Sequence, residues 1–254
     1  MLQLAAAAPL TVLMTALAGT GEDTAAVRGD RGAEASVLEK FLARPDEPVG
    51  SYRGRRAMFA EGLGKRASME VLVQLDPRRG FRWDVLSEEG SELIRQKGFR
   101  ALLQAERETI ESGRSDRASL TADNYALRFE GRDADGLVRL RASPLRKEKV
   151  LIDGAFVVTA DTADLVRVEG RLAKGPGFWT PRVDVVRHYR RLRGHRVLVR
   201  VESVSHVRLL GDIRSRVEYA YETIDGDQMP PLPVPWFTAG SASRPIRLLP
   251  APGR

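Results

Sequence analysis

The chain has 254 residues, of which 43% are hydrophobic and 30% charged, a composition typical of a folded domain and not of a disordered chain. It contains no cysteine, which excludes disulfides, zinc–thiolate sites, iron–sulfur clusters and a thiol nucleophile. The net charge is +7, but the arginines are scattered between acids and apolar residues, so we interpret them as a solvated surface and expect no nucleic-acid partner.

The N-terminal segment resembles a secretory signal. Residues 2–18 carry no charge and end in Ala16-Leu17-Ala18 before Gly19, a small-x-small cleavage pattern. We therefore expect a signal peptide over 1–18, a linker over 19–32, and export to the periplasm or cell envelope. A basic start is missing, so an N-terminal extension is the alternative. The apolar run is short for a membrane span, and we expect no stable transmembrane span.

The first elements predicted after the linker are a helix over 33–43 and a strand over 51–60. A hairpin follows, with a turn at Pro77–Gly80. Apolar residues alternate with others on both of its strands, so one face of the hairpin should be apolar. That face comprises Met69, Val71, Val73 and Leu75 on one strand and Phe81, Trp83 and Val85 on the other.

A second helix is predicted over residues 92–110. Ser91 follows the break at Gly90 and is a favourable N-cap residue. The side chains of Phe99, Leu102, Leu103 and Ile110 lie roughly on one stripe of this helix. We expect this stripe to cover the apolar face of the hairpin.

Beyond residue 120 the sequence predicts strands separated by short turns, two of which are Asp153-Gly154 and Gly211-Asp212. The connections are mostly too short for parallel crossovers, so we expect an antiparallel meander that curls, closes or splits. The proline-rich segment 225–254 is predicted to be an extended tail in which Trp236 and Phe237 could dock on the domain. The predicted strands lie near 124–130, 136–142, 150–152, 155–159, 165–172, 182–190, 196–203, 205–210 and 213–222.

Seven short segments follow one another in a recognisable order: Phe81-Arg82-Trp83-Asp84-Val85, Leu102-Leu103-Gln104-Ala105-Glu106, Asn124-Tyr125-Ala126-Leu127, Leu151-Ile152-Asp153-Gly154-Ala155-Phe156-Val157, Leu165-Val166-Arg167-Val168-Glu169-Gly170, Val207-Arg208-Leu209-Leu210-Gly211 and Tyr219-Ala220-Tyr221-Glu222. Their order resembles the LolA-like periplasmic lipoprotein-sorting superfamily over roughly residues 33–224. The resemblance implies a mainly β fold with α: an incomplete antiparallel β-barrel, a curved meander sheet, with helices covering its concave face. No ligand-gating arginine of that family can be matched here.

The resemblance also implies a function. Family members bind acyl chains or lipid-like ligands in the apolar concavity, so we expect lipid or lipoprotein acyl chains as partners, and an envelope membrane protein as a further candidate. The alternative is a protein-interaction module that uses the curved sheet and the proline-rich tail. The candidate ligand-binding residues are Met69, Val71, Val73, Phe81, Trp83, Val85, Phe99, Leu102 and Leu103.

No catalytic or metal-binding constellation is recognisable. The sequence lacks a G-x-S-x-G elbow, an H-E-x-x-H helix, a P-loop and a dinucleotide fingerprint. The three histidines, His188, His195 and His206, show no metal-ligand spacing. We therefore predict no enzyme activity, no cofactor and no bound metal.

Overall fold

The computed structural model describes residues 35–43, 48–209 and 211–230. The predicted signal peptide, the linker, and the part of the tail that holds Trp236 and Phe237 lie outside the described residues. Residues 35–43 are helical and form α1, within the helix predicted over 33–43.

The other elements follow the expected order of strands, helix and strands. The long helix, α2, comprises an α-helical turn over Glu92–Ile94, a π-helical turn over Arg95–Arg100 and an α-helix over Ala101–Glu111. A 3₁₀ turn over Ser115–Ala118 comes after it. The strands are β1 Tyr52–Gly62, β2 Lys65–Asp76, β3 Gly80–Gly90, β4 Tyr125–Arg132, β5 Val138–Pro144, β6 Ile152–Val158, β7 Leu165–Leu172, β8 Arg182–Leu192, β9 His195–Val207, β10 Gly211–Ile224 and β11 Asp227–Gln228.

The strands form one antiparallel sheet that does not close. Its order is β3-β2-β1-β10-β9-β8-β7-β6-β5-β4, with the short β11 paired to β10. All neighbours along this order are consecutive in sequence except β1 and β10, whose pairing joins two meanders. The edge strands are β3 and β4, and α2 lies on the connection between them. This confirms the incomplete antiparallel barrel expected from the sequence.

Two predicted turns are wrong. Asp153-Gly154 lies inside β6, where Gly154 pairs with Gly170 of β7. A Cβ at Gly154 would lie 1.9 Å from the carbonyl oxygen of Glu169, so this glycine serves close strand approach and not a turn. Likewise, β9 runs unbroken to Val207, and the reversal into β10 occurs before Gly211 and not at Gly211-Asp212.

The predicted helix over 92–110 is confirmed, with two differences in detail. Ser91 occupies the N-cap position but makes no side-chain capping hydrogen bond. Gly98 lies in the π-helical turn, a wider turn of a kind found mostly as a local irregularity within α-helices. The helix continues beyond this turn, because its buried side chains Phe99 and Leu103 pack on the sheet.

Apolar side chains gather into clusters on the inner face of the sheet. One cluster lies under α1 and includes Val37, Phe41 and Phe156. A second lies under α2, and its buried members are Met58, Ala60, Ala67, Met69, Val71, Val73, Phe81, Phe99, Leu103 and Val217. We call this second cluster the α2-covered face.

The outer face explains the basic composition. Successive strand residues point to opposite faces, so the neighbours of inner-face residues lie outside, where arginines pair with acids across strands. Arg139 of β5, for example, contacts Glu169 of β7, and Arg200 Nε lies 3.2 Å from Glu218 Oε1 of β10. Burial raises the pKa of the Glu218 carboxyl to about 7, although Arg200 and Arg216 oppose this shift.

Candidate functional site

The candidate site is the α2-covered face, whose floor is formed by β1, β2, β3 and β10. The pairing places Met58 beside both Met69 of β2 and Val217 of β10, so one apolar surface runs across three strands. Phe99 and Leu103 of α2 close it from above, four residues apart on one side of the helix. The two side chains are 4% and 0% exposed, so the helix seals the apolar surface from solvent.

Most of the residues selected from the sequence lie together on this face. The buried ones are Met69, Val71, Val73, Phe81, Phe99 and Leu103. Trp83 packs against them and is partly buried, with its ring 5.9 Å from that of Phe81. The alternation and the covering helix were therefore correctly placed, while binding of a ligand by these residues stays a prediction.

Two of the selected residues do not belong to this face. Val85 is 38% exposed on the edge strand β3, next to a register shift between Glu70 and Val71 of β2, where a bulge bends the strand. Leu102 is 45% exposed. It directly follows Ala101 and precedes the buried Leu103, and one residue turns a helix by about 100°, so both leucines cannot face the sheet.

Sequence reasoning missed the polar contact that fastens α2 to the sheet. Arg56 of β1 is 1% exposed, and its Nη1 donates to Glu106 Oε2 at 2.6 Å while its Nη2 donates to Oε1 at 3.0 Å. The Tyr52 hydroxyl reaches the same carboxylate at 3.4 Å. This two-pronged geometry is the strongest form of an arginine–carboxylate contact.

The sequence patterns of β1 and of α2 each contain a residue that indicates this contact. Arg56 shares strand parity with Met58, so an inner-face position of β1 holds a cation. Glu106 lies three residues after Leu103 and four before Ile110, on the apolar stripe of the helix. A charge within an apolar pattern indicates a buried charge that needs a partner, but only the folded chain shows that these two residues pair with each other.

Aromatic rings complete the surroundings of Arg56. Its Cζ lies 4.6 Å from the centre of the Tyr219 ring and 5.7 Å from that of Phe81. Burial works against the charge, but Tyr219 and Glu106 keep the pKa of Arg56 above its ordinary value. Its Nε is buried without a hydrogen-bond partner in the described part of the chain. The guanidinium therefore retains one donor toward the interior.

A second inner-face guanidinium lies on β8. Arg187 pairs with Val201 of β9 and with Val168 of β7, two positions on the inner surface. Burial raises the pKa of Tyr189, while a hydrogen bond from Arg187 opposes the rise. The inner surface therefore presents positive charge among apolar and tyrosine side chains.

Further contacts hold the flanks of α2. Arg107 stacks 4.0 Å above the Trp83 ring and donates from Nε to the Phe81 carbonyl oxygen at 3.1 Å. At the start of the helix, Arg95 and Arg100 lie 2.6 and 2.7 Å from the carboxylate of Glu88 on β3. A depression of about 210 Å³ opens beside this flank and is lined by Leu72, Gln74, Arg82, Trp83, Asp84 and Arg107.

The three histidine side chains lie beside different carboxylates. His206 lies 2.7 Å from Asp184 and 2.8 Å from Asp212, whereas His188 lies 3.8 Å from Glu202. Among the described residues, no three histidine, aspartate or glutamate side chains form a group able to hold a metal ion. In the same ranges, no helix is both long and apolar enough to cross a bilayer.

Comparison with known proteins gives two structural likenesses. No protein-family model matches the sequence, and no curated protein matches it. A LolA superfamily protein from Nitrosomonas europaea is similar over 78% of this chain and 94% of its own, with 11% identity and a TM-score of 0.34. A DUF1329 family protein from Desulfovibrio piger is similar over 75% of this chain and 90% of its own, with 9% identity and a TM-score of 0.35. The fold of this chain is therefore defined by its own strand order and pairing.

Proposed function

We propose that this protein binds the acyl chain of a lipid or lipoprotein beneath α2 and works as a carrier or sensor in the cell envelope. The observation that supports this proposal is the composition of the cover. Two buried side chains, Phe99 and Leu103, and one ion pair, Arg56–Glu106, make the central contacts between α2 and an apolar face spanning several strands. A ligand that supplies the same contacts can replace the helix.

When a ligand replaces α2, the free energy gained by burying its acyl chain is close to the free energy lost by exposing Phe99 and Leu103. Burying a phenylalanine or leucine side chain is worth about 1.5–3 kcal/mol, so Phe99 and Leu103 together contribute roughly 3–6 kcal/mol. Each buried methylene is worth about 0.8 kcal/mol, so roughly four to eight methylenes of an acyl chain match that contribution. An ordinary fatty acyl chain is long enough.

The polar part favours a ligand with an acidic group. When α2 lifts, Glu106 leaves Arg56, and an unpaired buried charge is costly. A ligand carboxylate or phosphate can take the place of Glu106 and can also accept from the free Nε of Arg56. We therefore expect fatty acids and anionic lipids to bind more tightly than neutral lipids.

Titration with a dispersed fatty acid, followed by the fluorescence of Trp83, tests the proposal. Trp179→Phe and Trp236→Phe leave Trp83 as the single tryptophan. We expect a saturable change that Val73→Glu abolishes, because it places a charge on the 3% exposed floor of the site. The matched control is Leu86→Glu, since Leu86 lies on the same strand as Trp83 but is 49% exposed.

A second variant keeps the test decisive if Val73→Glu does not fold. Leu103→Ala weakens the cover without touching the strands, so the binding-competent open state becomes more populated and the apparent affinity for the fatty acid should rise. If neither variant changes the response, or if no lipid perturbs Trp83, the face is a closed core and the proposal fails.

The envelope location is tested separately. N-terminal sequencing of protein from the envelope fraction should find a start near Gly19, whereas an intact Met1 on cytosolic protein would remove the export proposal. Native mass spectrometry of the same material should show bound lipid. The proposal includes no catalytic step.

A further inference from the structure

The meander divides the loops between the two ends of the sheet, and one end is apolar. Because the strands are antiparallel, the β1–β2, β5–β6, β7–β8 and β9–β10 connections lie at the same end. Each of them carries a large apolar side chain exposed to solvent. These side chains are Leu63, Leu145, Phe178, Trp179 and Leu209. We call this end, defined by these five residues, the apolar end.

The opposite end has a different chemistry. Its turns follow β2, β4, β6, β8 and β10 and are rich in glycine, arginine and aspartate, including Asp133, Asp161 and Asp225. None of the large apolar side chains found exposed in the described residues lies in those turns. Large exposed apolar side chains are therefore not a general property of the described loops but are confined to the loops of one end.

The centre of the apolar end is held in place by contacts between two loops. Phe178 and Trp179 meet edge to face at 5.5 Å and are 69% and 60% exposed. Arg208, from the β9–β10 connection, lies over the Phe178 ring at 4.3 Å and donates its backbone N–H to the Trp179 carbonyl oxygen at 2.9 Å. The two aromatic side chains are thus exposed to solvent while contacts with the β9–β10 connection hold their loop in place.

Two of the three leucines of this end lie in the left-handed region of backbone conformation. Leu209 has φ 64° and is 97% exposed, and Leu63 has φ 56°. This left-handed region disfavours residues with a Cβ, and glycine or asparagine is the usual choice there. Because the Leu209 side chain is almost fully exposed at a position where glycine is usual, burial within the chain does not account for a leucine there, which points to an external contact of this side chain.

The charge of the connecting segments indicates the chemistry of the partner. The four connections at this end carry one acid, Glu148, and five basic residues: Arg146, Lys147, Lys149, Lys174 and Arg208. Aromatic rings and leucines flanked by basic residues are the chemistry of an anionic membrane surface. We propose that the apolar end docks on an anionic lipid bilayer, with Phe178, Trp179 and Leu209 inserted among the headgroups. None of these residues belongs to the α2-covered face, so the inference goes beyond the proposed function.

Vesicle flotation with the full chain tests this inference. The vesicles contain phosphatidylcholine alone or phosphatidylcholine mixed with phosphatidylglycerol. We expect binding to the mixed vesicles that weakens with salt, and at least about a tenfold loss of partitioning for the combined variant Phe178→Ser, Trp179→Ser and Leu209→Ser. The control Leu86→Ser, at a leucine exposed on the edge strand β3, should bind as the unmodified chain does.

A second measurement reports insertion directly. In a chain with Trp83→Phe and Trp236→Phe, the remaining Trp179 should shift its emission to the blue on mixed vesicles and be quenched by brominated lipids. The inference is wrong if the combined variant and the unmodified chain bind vesicles equally. It is also wrong if vesicles leave the Trp179 emission unchanged, or if the chain binds a protein partner and no vesicles.

The two proposals fail independently. If both hold, the combined variant loses vesicle binding but keeps the response of Trp83 to dispersed fatty acid. Retained vesicle binding with no Trp83 response to fatty acid removes the carrier proposal and leaves the docking inference standing.

Discussion

Replacing Glu106 by alanine tests whether its ion pair with Arg56 fastens α2 to the sheet. The Arg56 side chain is 2% exposed, so the variant leaves a buried charge without its carboxylate. Breaking a buried pair in this way costs about 3–5 kcal/mol. Because the Glu106 side chain is itself 31% exposed, water can reach the vacated position, and we expect the lower end, about 3 kcal/mol. For a domain of this size that lowers the Tm by roughly 6–12 °C.

Urea unfolding followed by circular dichroism measures this cost, and amide hydrogen exchange locates it. Protection should fall first in residues 92–111, because a helix that loses its fastening opens before the sheet does. Glu106→Gln keeps one oxygen that accepts from Arg56 but loses the second acceptor and the negative charge, so it should lower the free energy of unfolding by less than Glu106→Ala does.

Glu108→Ala is the matched control. Glu108 is exposed on the same helix and accepts a hydrogen bond from Gln104 at 3.0 Å, so its loss should cost no more than about 0.5 kcal/mol. If Glu106→Ala lowers the free energy of unfolding as little as this control does, or if hydrogen exchange in α2 is unchanged, the ion pair does not fasten the helix to the sheet.

Three further outcomes are expected. Gly154→Ala should destabilise the fold by about 1–3 kcal/mol in urea unfolding, because its Cβ would lie 1.9 Å from a carbonyl oxygen, whereas Gly177→Ala, with nothing within 4 Å, should be nearly neutral. Because burial raises the pKa of Glu218 to about 7 in the folded state, its contribution to stability is present below about pH 4.5 and is lost as the pH rises through about 7. Glu218→Gln should therefore reduce the decline of the free energy of unfolding between about pH 5 and 8. An unchanged decline would refute this. Elemental analysis should find substoichiometric zinc, copper and iron, and a full equivalent that is lost in His188→Ala would contradict this.

Local patterns in the sequence determined the elements and the side of the sheet that is apolar. Alternation placed Met69, Val71 and Val73 on one face, and the Pro77–Gly80 turn paired their strand with the next, because strand period and turn chemistry act over a few residues. The bounds of β7, Leu165–Leu172, were predicted without error for the same reason. The short connections predicted an antiparallel meander, whereas the incomplete barrel was what the family resemblance implied.

Tertiary structure decided whatever depends on residues far apart in the chain. The pairing of β1 with β10 joins the two meanders across more than 150 residues and carries no local signal. The roles of Gly154, opposite Gly170, and of Arg56, opposite Glu106, each depend on a partner that only the folded sheet brings near. Leu102 stays exposed because a helix presents one stripe to the sheet, and Val85 stays exposed because it lies beside a bulge on the edge strand β3. A sequence pattern specifies which residues share a face, but only packing determines which of them are covered.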